Sequence, residues 1–596
     1  MDQKNIILAI ALSLAILLGW QYFIVGPQVE EQRALEAARQ AQQAEQQAVG
    51  DTGSVPRPSA PGAAPGGISA PSSIVPAAQA REEALAQGLR IPIETDAVRG
   101  TINLVGGRID DLVLHRYHQT LEPDSPDIVL LSPRDSANPY FADFGWVDNN
   151  GNVYGTGDTP WRTASTKLTT DTPLVLTWDN GSGIRLTRTY AIDDNYMITV
   201  TQRVENTGDA AIDLFPFGRL TRIGTPKTLG FYVLHEGPIG VFDDSLTEVD
   251  YDDLQESKPE TFETTGGWLG YTDRYWLAAL VPNQGEPVKA SLSHRLSPRG
   301  EDVYQADYLG SGHRIAPGGS TEIDNRLFAG AKVFKLLEHY RDDLNIPKFA
   351  LAIDFGWFFF LTKPLMRALL WLQGMIGNLG LAILVVTIVI KLAFFPLANK
   401  SYKSMTRMKA LQPKMTELRE KFGDDKQKMQ QELMAMYKRE KVNPVSGCLP
   451  MLIQIPVFFA LYKVIFISIE MRHAPFFGWI QDLSAPDPTT VWNLFGLIPW
   501  DPATIIPAFL MIGVWPLAMG VTMFLQMKLN PAPADPVQAK IFTFMPLAFT
   551  FFLAQFPAGL VIYWTWNNIL SMAQQYVIMR RMGVGIGGES TAHTST

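Results

Sequence analysis

The stretch Ile383-Leu-Val-Val-Thr-Ile-Val-Ile-Lys-Leu-Ala-Phe-Phe395 places one lysine inside an otherwise apolar run. The full run, Leu379–Leu397, is long enough as a helix to cross most of the roughly 30 Å hydrocarbon core of a bilayer. A charged side chain at that depth costs at least about 2.5–3.5 kcal/mol near the bilayer centre and usually faces protein or water. Lys391 therefore predicts a polar site inside a helical membrane domain. The alternative is a lysine that extends to the inner interface.

Other apolar runs bring the number of predicted spans to six. Ile6–Val25 reads as an uncleaved anchor, because it is longer than the apolar core of a signal peptide. The C-terminal third adds four runs to Leu379–Leu397, which are Met451–Ile469, Ile505–Gln526, Ile541–Leu553 and Leu560–Met579. Ile541–Leu553 would give only about 20 Å of helix, so we expect it to thin the surrounding bilayer.

The charge distribution predicts the orientation of these spans. Residues 398–447 carry 12 Lys and Arg against 6 Asp and Glu, and positive charge next to spans stays in the cytoplasm. Both termini are therefore expected in the cytoplasm. Residues 26–345 carry 45 acidic and 27 basic residues and would face the opposite side. This uneven distribution excludes a uniform soluble enzyme. The single cysteine, Cys448, excludes an intramolecular disulfide.

The outer region divides into a linker and an all-β domain. Asp51–Ala78 is rich in Pro, Gly and Ala, so residues 26–88 are predicted to be a flexible tether. Residues 89–345 contain short alternating runs separated by turns, which predict a β-sandwich. Clear examples of such runs are Leu174–Trp178, Ile184–Tyr190 and Met197–Val204.

The remaining boundaries follow from composition. Val333–Asp343 predicts a helix that returns to the membrane. Residues 346–372 begin with aromatic residues at Phe349–Leu361 and predict an amphipathic helix on the outer leaflet, with a buried helix of the outer domain as the alternative. After the anchor at 1–25, the predicted membrane part consists of span two at 373–397, a cytoplasmic helical hairpin with a turn near Gly423 at 398–447, spans three to six at 448–582 and a short tail at 583–596.

Polar residues on other spans accompany Lys391. Thr387 lies one helical turn before it on the same face. Asn567, Ser571 and Gln574 recur at helical spacing on the last span, and the third span contributes Gln454. Together they predict a hydrated groove, although polar residues that merely join helices are the alternative. Methionines in the hairpin suit either adaptable binding or gap filling, and the candidates for client contact are Met405, Met408 and Met415.

No motif indicates covalent chemistry. The sequence contains no P-loop or dinucleotide fingerprint, and its histidines are scattered. We expect neither an enzyme nor a cofactor or metal site. A secondary transporter or channel is the main alternative, and it requires a second intramembrane charge that couples to Lys391. A carbohydrate enzyme in the outer domain is a third reading.

Local strings carry a resemblance to a known family. The chain resembles the YidC-type membrane protein insertases (Oxa/Alb/YidC family) of Gram-negative bacteria over essentially its whole length. The matching strings are Met408-Lys-Ala-Leu-Gln-Pro413, Gly423-Asp-Asp-Lys-Gln427, Glu440-Lys-Val-Asn-Pro444, Gly447-Cys-Leu-Pro450 and Phe556-Pro-Ala-Gly-Leu560. The resemblance implies a polytopic α-helical membrane protein with a five-helix core and a periplasmic all-β supersandwich of mutarotase type without known sugar chemistry.

The resemblance also implies a site and partners. The family's groove carries a positive residue, usually arginine, where this chain has Lys391, so the planar guanidinium is lost. Thr387 matches a groove threonine, and Tyr563-Trp564 stands where the family often has two substrate-contacting tyrosines. The implied function is insertion and chaperoning of nascent inner-membrane proteins, alone or with the Sec translocon. Further expected partners are the ribosome, signal-recognition components and membrane lipids, but not nucleic acid.

Overall fold

The computed structural model describes residues 80–228, 234–256, 258–422, 425–440, 449–507, 510–529 and 536–581. The predicted anchor at 1–25, most of the tether at 26–88 and the tail at 583–596 lie outside these ranges. The described residues from 411 to 440 belong to one compact unit, and all the others belong to a second, larger unit.

The larger unit contains a sandwich of two antiparallel sheets. The strands of the first sheet, in spatial order, are β1 (Arg90–Glu94), β2 (Val98–Asn103), β3 (Arg108–His118), β5 (Tyr140–Asp148), β10 (Ile212–Ile223), β17 (Asp302–Gly310), β16 (Pro287–Leu296) and β13 (Glu260–Thr265). Three shorter strands pair with it, namely β4 (Asp127–Leu131), β6 (Val153–Tyr154) and β18 (His313–Ile315). The second sheet has the order β12 (Ser245–Glu248), β11 (Gly237–Phe242), β14 (Trp268–Thr272), β15 (Trp276–Val281), β19 (Ser320–Ala331), β9 (Met197–Asn206), β8 (Ile184–Ile192) and β7 (Leu174–Asp179). The predicted all-β domain is confirmed.

Alternation along the strands explains this sandwich. In β8, Ile184, Leu186, Tyr190 and Ile192 are buried on one face, as expected for a period of two. Arg188 lies on the same buried face. Its guanidinium donates to the carbonyl of Gly155 at 3.0 Å and stacks on the ring of Trp161. A buried charge is tolerated there because protein groups replace its water.

The described part of the chain contains twelve α-helices. They are α1 (Arg81–Leu85), α2 (Tyr251–Glu256), α3 (Phe334–Asp343), α4 (Phe359–Ile376), α5 (Leu379–Ala393), α6 (Phe395–Ala410), α7 (Gln412–Phe422), α8 (Lys426–Arg439), α9 (Leu449–Ile467), α10 (Val514–Leu529), α11 (Pro536–Leu553) and α12 (Ala558–Arg581). The helix predicted at Val333–Asp343 is α3. The apolar runs predicted at Met451–Ile469 and Leu560–Met579 correspond to α9 and α12, and their ends agree within two residues.

The helix predicted at Leu379–Leu397 is shorter than expected. It begins at Leu379, where the side chain of Asn378 caps it by accepting the N–H of Leu381 at 2.9 Å. It ends at Ala393, and α6 continues at an angle of 69°. Pro396 accounts for the break, because proline lacks an N–H donor and disfavours helical geometry in the residue before it.

Two later boundaries also differ from the prediction. In the described part of the run Ile505–Gln526, the α-helix begins only at Val514, where the Thr489 hydroxyl and the Asp487 carboxylate accept the N–H groups of Val514 and Trp515 at 3.1 and 2.9 Å. The helix predicted at Ile541–Leu553 begins earlier, at Pro536, and has 18 residues. Its apolar part is still short, since it covers only Lys540–Leu553.

The aromatic helix predicted from Phe349 begins ten residues later. Phe349 and Phe355 are buried and pack with the β domain. Gly356 has a φ of +67°, a conformation that breaks a helix, and its N–H donates to the Asp354 carboxylate at 2.9 Å. The helix α4 then begins at Phe359, and its first turn carries exposed aromatic rings.

The described helices differ in how well their length and composition suit a membrane span. Within the described ranges, no single helix is both long and apolar enough to cross a membrane. The bent pair Leu379–Ala393 and Phe395–Met405 has the required length and apolar composition when the two helices are taken together. Gln454–Ile467 and Lys540–Leu553 are apolar but shorter.

The β domain and the helices of the larger unit meet around the end of α9. The guanidinium Nε of Arg274 donates to the carbonyl of Phe466 at 2.8 Å. The Glu470 carboxylate accepts the N–H of Phe334, the first residue of α3, at 3.1 Å. Lys463 Nζ lies 2.7 Å from Asp354 Oδ2. These polar contacts hold the β domain against this end of the helices.

The smaller unit contains two helices of the predicted hairpin, α7 and α8. The turn predicted near Gly423 lies outside the described residues. Asp425 caps α8 by accepting the N–H of Lys428 at 3.0 Å. Lys414 near the start of α7 forms an ion pair of 2.8 Å with Glu440, which follows α8. This contact brings opposite ends of the two helices together, so they run antiparallel.

Candidate functional site

Four helices of the larger unit enclose a small cavity around Lys391. Its volume of about 40 Å³ exceeds the 10–15 Å³ or so that one water molecule needs. Residues of α5, α6, α9 and α12 line the cavity, together with one residue of the bend between α5 and α6. They are Ile390, Lys391, Phe394, Leu397, Ala398, Tyr402, Gln454, Val457 and Gln574. A lysine, two amides and a phenol in one cavity make it a polar site with room for water.

Lys391 is held by a hydroxyl rather than by an acid. Its Nζ donates to Ser571 Oγ at 2.7 Å, and Ser571 Oγ donates to the carbonyl of Asn567 at 2.8 Å. No Asp or Glu lines the cavity among the residues that the structure describes, and Lys391 forms no ion pair with any of them. The ammonium can therefore attract an acidic group that enters the cavity.

Amide groups extend the polar surface along α9 and α12. The Gln454 amide donates to the Tyr563 hydroxyl. Asn567 Oδ1 and Gln574 Nε2 are buried, and neither has a hydrogen-bond partner within the described part of the chain. Unpaired buried polar atoms are expensive. Gln574 lines the cavity, so a polar occupant there would satisfy its amide.

Five candidates predicted from the sequence do not line the cavity, namely Thr387, Tyr563, Trp564, Asn567 and Ser571. The Thr387 hydroxyl donates to the carbonyl of Ile383 at 2.7 Å, and its side chain is buried. Tyr563 is also buried and reaches the cavity only through Gln454. The ring of Trp564 packs edge-on against Phe458 and Phe549, with centroids 4.7 and 5.7 Å away. Trp564 thus contributes to helix packing.

The methionines predicted to contact clients differ in exposure. Met405 is buried with Tyr402 and Ile578 in an apolar cluster. Met408 and Met415 are partly exposed, and the Tyr437 hydroxyl lies 3.7 Å from Met415 Sδ. Met405 therefore fills a gap between helices, whereas the other two leave part of their surface accessible.

Tyr402 is a cavity residue that was not predicted from the sequence. Its side chain is buried and lines the cavity from α6. The basic composition of residues 398–447 had assigned it to the cytoplasmic hairpin. The Phe-Phe-Pro string at residues 394–396 was the available signal, because a break there turns the next helix back towards the spans.

Known proteins match both parts of this chain. A family model described as the YidC periplasmic domain matches residues 90–368, and one described as the 60Kd inner membrane protein matches residues 371–584. A membrane protein insertase YidC from Methylobacterium sp. (strain 4-46) is 52% identical over 605 residues, which cover 98% of this chain and 96% of the relative. The chain belongs to the YidC family of membrane protein insertases.

Other members and one solved structure are also similar. A YidC insertase from Sinorhizobium fredii (strain NBRC 101917 / NGR234) is 52% identical over 590 residues, covering 98% of this chain and 96% of that one. A crystal structure described as an active YidC insertase with its first transmembrane domain resolved has 18% identity and a TM-score of 0.36, covering 82% of this chain and 93% of that chain. The present chain is thus an inner-membrane YidC insertase with a periplasmic β-sandwich domain and a helical membrane core.

Proposed function

We propose that this YidC insertase receives polar and acidic parts of nascent membrane proteins in the cavity around Lys391. The observation that carries the proposal is the contact between Lys391 and Ser571, at a cavity large enough for water and without a described acidic neighbour. A cation with no acidic partner is poised to pair with a carboxylate from outside. Gln454, Asn567 and Gln574 would replace part of the water that such a segment loses on entry.

The proposed topology has six spans with both termini in the cytoplasm. The β domain would lie in the periplasm, with the basic hairpin on the cytoplasmic side. The first turn of α4 would lie at the outer membrane interface. The exposed rings of Trp357, Phe359 and Phe360 support that position, since aromatic side chains favour the boundary between lipid and water.

The proposed mechanism lowers a barrier and involves no covalent step. An acidic or polar tail is drawn towards Lys391 while the adjoining apolar segment moves into lipid. Each Leu or Ile at the centre of a span favours the membrane by about 0.3–0.6 kcal/mol, so the partitioning of the client drives the process. The insertase supplies a polar route for the groups that lipid would reject.

A thin bilayer near the cavity would shorten this route. The apolar part of α11, Lys540–Leu553, has 14 residues, which correspond to about 21 Å of helix. That length is below the roughly 30 Å of a typical hydrocarbon core. The bilayer next to α11 is therefore expected to be thinner, which reduces the distance that a polar tail must cross.

The proposed partners are nascent membrane proteins, the Sec translocon, the ribosome with signal-recognition components, and lipids. The accessible surfaces of Met408 and Met415 are suitable for varied apolar segments, because methionine is flexible and polarizable. The hairpin would then meet a client before the cavity does. Sec would act on clients whose large outer domains exceed what one small cavity can shelter.

A transporter or channel is less well supported. Coupling would require a second titratable group beside Lys391, and Lys391 is the only charged residue among the described residues that line the cavity. Lys463 on α9, at the end of that helix near the β domain, is paired with Asp354. These observations favour insertion over transport.

Charge substitutions at Lys391 test the proposal in reconstituted vesicles. Lys391→Glu should slow the insertion of a client with an acidic tail by at least roughly tenfold, which corresponds to about 1.4 kcal/mol, and should spare a client with a neutral tail. Lys391→Arg should retain insertion because it keeps the charge. Lys391→Gln separates the need for charge from the need for polarity. Exposed Lys400 on α6 supplies the matched control, since Lys400→Glu makes the same charge change outside the cavity.

Crosslinking supplies a second test with a spatial readout. A photo-crosslinker at Gln574 or Gln454 should capture a stalled nascent chain, because both side chains line the cavity. The same probe at Thr387, which is buried against its own helix, should capture much less. Equal capture from all three positions, together with unchanged insertion by Lys391→Glu, would refute the cavity as the route.

A further inference from the structure

The segment that joins α9 to α10 has an apolar tip, Val491–Trp500. The tip contains no charged residue and folds into tight turns with a kink at Val491–Gly496. Its large side chains are exposed to an unusual degree, and Leu497 is 83% exposed. The exposed apolar residues of the tip are Trp492, Leu494, Phe495, Leu497, Ile498 and Trp500. Six exposed large apolar side chains within ten residues indicate an interaction surface.

Hydrogen bonds hold the tip in this form. The N–H of Val491 donates to the carbonyl of Ile512 at 3.0 Å, and the Trp492 indole donates to the carbonyl of Leu510 at 2.9 Å. Leu494 and Phe495 have φ values of 49° and 59°, a left-handed conformation that bulky residues rarely adopt. The surrounding contacts therefore fix a strained backbone whose apolar side chains stay exposed.

The tip lies at the end of the helices that meets the β domain. The helix α9 begins just after the hairpin and ends at Ile467, where Phe466 accepts a hydrogen bond from Arg274 of the β domain. The connecting segment continues from that end. Asp487 caps the start of α10, so the base of the segment is attached to the same end of the helix bundle.

We propose that Val491–Trp500 is an interfacial anchor that inserts its apolar side chains into the outer leaflet of the membrane. Tryptophans stand near both ends of the tip at Trp492 and Trp500, as is common at membrane interfaces. Charged residues occur only beyond the tip, at Asp487 and Asp501. These features fit a short segment whose middle lies in lipid and whose ends lie among headgroups.

The neighbouring helix supports lipid as the occupant. Val521, Phe524 and Leu525 on α10 are exposed apolar side chains, and they would face lipid in the proposed topology. The tip would continue that surface beyond the start of α10. This anchor rests on the spanning arrangement proposed above, and through Asp487 it fixes the depth at which α10 enters the bilayer.

Depth-dependent fluorescence quenching tests the anchor in the full-length protein. Cys448→Ser removes the natural thiol, and single cysteines are then introduced by Leu497→Cys, Val521→Cys or Leu296→Cys and labelled with a polarity-sensitive fluorophore. Leu296 is an exposed apolar residue of β16 and serves as the matched aqueous control. The proteins are reconstituted into phosphatidylcholine vesicles with or without nitroxide-labelled acyl chains.

The expected result is blue-shifted emission and strong nitroxide quenching at positions 497 and 521, with at least roughly threefold less quenching at 296. If position 521 is quenched while 497 behaves like 296, the anchor is refuted and the spanning arrangement stands. If neither 497 nor 521 is quenched, the spanning arrangement fails together with the anchor. A response at 497 that appears only when a client is added also overturns the lipid assignment, because the occupant would then be protein.

Discussion

The ammonium of Lys391 and the hydroxyl of Ser571 lie 2.7 Å apart and connect α5 to α12. The hydroxyl in turn donates to the backbone of its own helix at Asn567. The charge is thus positioned without being neutralised, in contrast to an ion pair in which an acid would already occupy the cation. In the proposed mechanism, an incoming carboxylate would meet a hydroxyl rather than a competing acid.

Removing this hydroxyl should weaken the site without abolishing it. We expect Ser571→Ala to lower the free energy of unfolding by about 1–2 kcal/mol, because the ammonium loses a charge-assisted hydrogen bond. Insertion of an acidic-tailed client should slow by a few fold, since the charge itself remains. Ser571→Thr retains a hydroxyl and is the control. A Ser571→Ala variant as defective as Lys391→Glu would show that the serine, not the charge, dominates.

The ion pair between Lys463 and Asp354 predicts that replacing Lys463 lowers the stability more than replacing an exposed lysine does. Lys463→Met should destabilise the protein by about 1–3 kcal/mol, because it leaves a largely buried carboxylate without its cation. Lys167→Met breaks an exposed ion pair with Glu94 of 3.5 Å and should cost less than about 1 kcal/mol. Thermal unfolding of the purified proteins in one detergent compares them. Equal losses of stability would contradict the structural role of Lys463.

The Glu470 carboxylate caps the start of α3, so removing it should weaken this helix. Glu470→Ala should cost about 1 kcal/mol, because the N–H of Phe334 loses its acceptor. Glu470→Gln retains an amide oxygen and should stay close to the wild type. Hydrogen exchange of the backbone amides in α3 is the measurement, since it reports the opening of that helix directly. Identical exchange in both variants would show that the cap has no influence on α3.

Asp307 predicts a pH dependence of stability. Its side chain is buried, and burial raises the pKa of Asp307 to about 7, although a hydrogen bond from Gln305 and the positive charge of Arg219 act in the opposite direction. The unfolded carboxyl titrates near about 3.9. The folded state therefore binds an extra proton between these values. The stability that this proton contributes is complete below about pH 4 and is lost as the pH rises through about 7.

Asp307→Asn should remove this component. The thermal midpoint of the wild type should fall between pH 5 and pH 8 more than that of the variant. Asp209→Asn changes an exposed carboxyl of the same domain and should leave the wild-type slope unchanged. A slope that is the same in all three proteins would rule out Asp307 as its source.

The features that could be predicted from the sequence are those with a strong local pattern. Strands β7 to β9 alternate with a period of two, and α12 is a long run that ends at two arginines. The bend after Ala393 was missed, because the apolar run continues through Phe394 and Phe395 and hides the effect of Pro396. Composition identified the membrane part, but it could not locate a change of direction within it.

The site shows the same limit at the level of single side chains. Helical spacing predicted a polar stripe of Asn567, Ser571 and Gln574, and Ser571 of that stripe forms a hydrogen bond with Lys391. Spacing also placed Thr387 on the face of Lys391, but its hydroxyl bonds to the backbone one turn earlier. The position of the Trp564 ring is set by Phe458 and Phe549, which lie on two other helices. Periodicity predicts a face, whereas tertiary packing determines the partner.

The bend between α5 and α6 divides the wall of the cavity. Ile390 and Lys391 precede it, whereas Leu397, Ala398 and Tyr402 follow it. A small rotation of α6 about this bend would widen or close the cavity while α5 remained packed against its neighbours. Access to the lysine would therefore depend on the angle between these two helices.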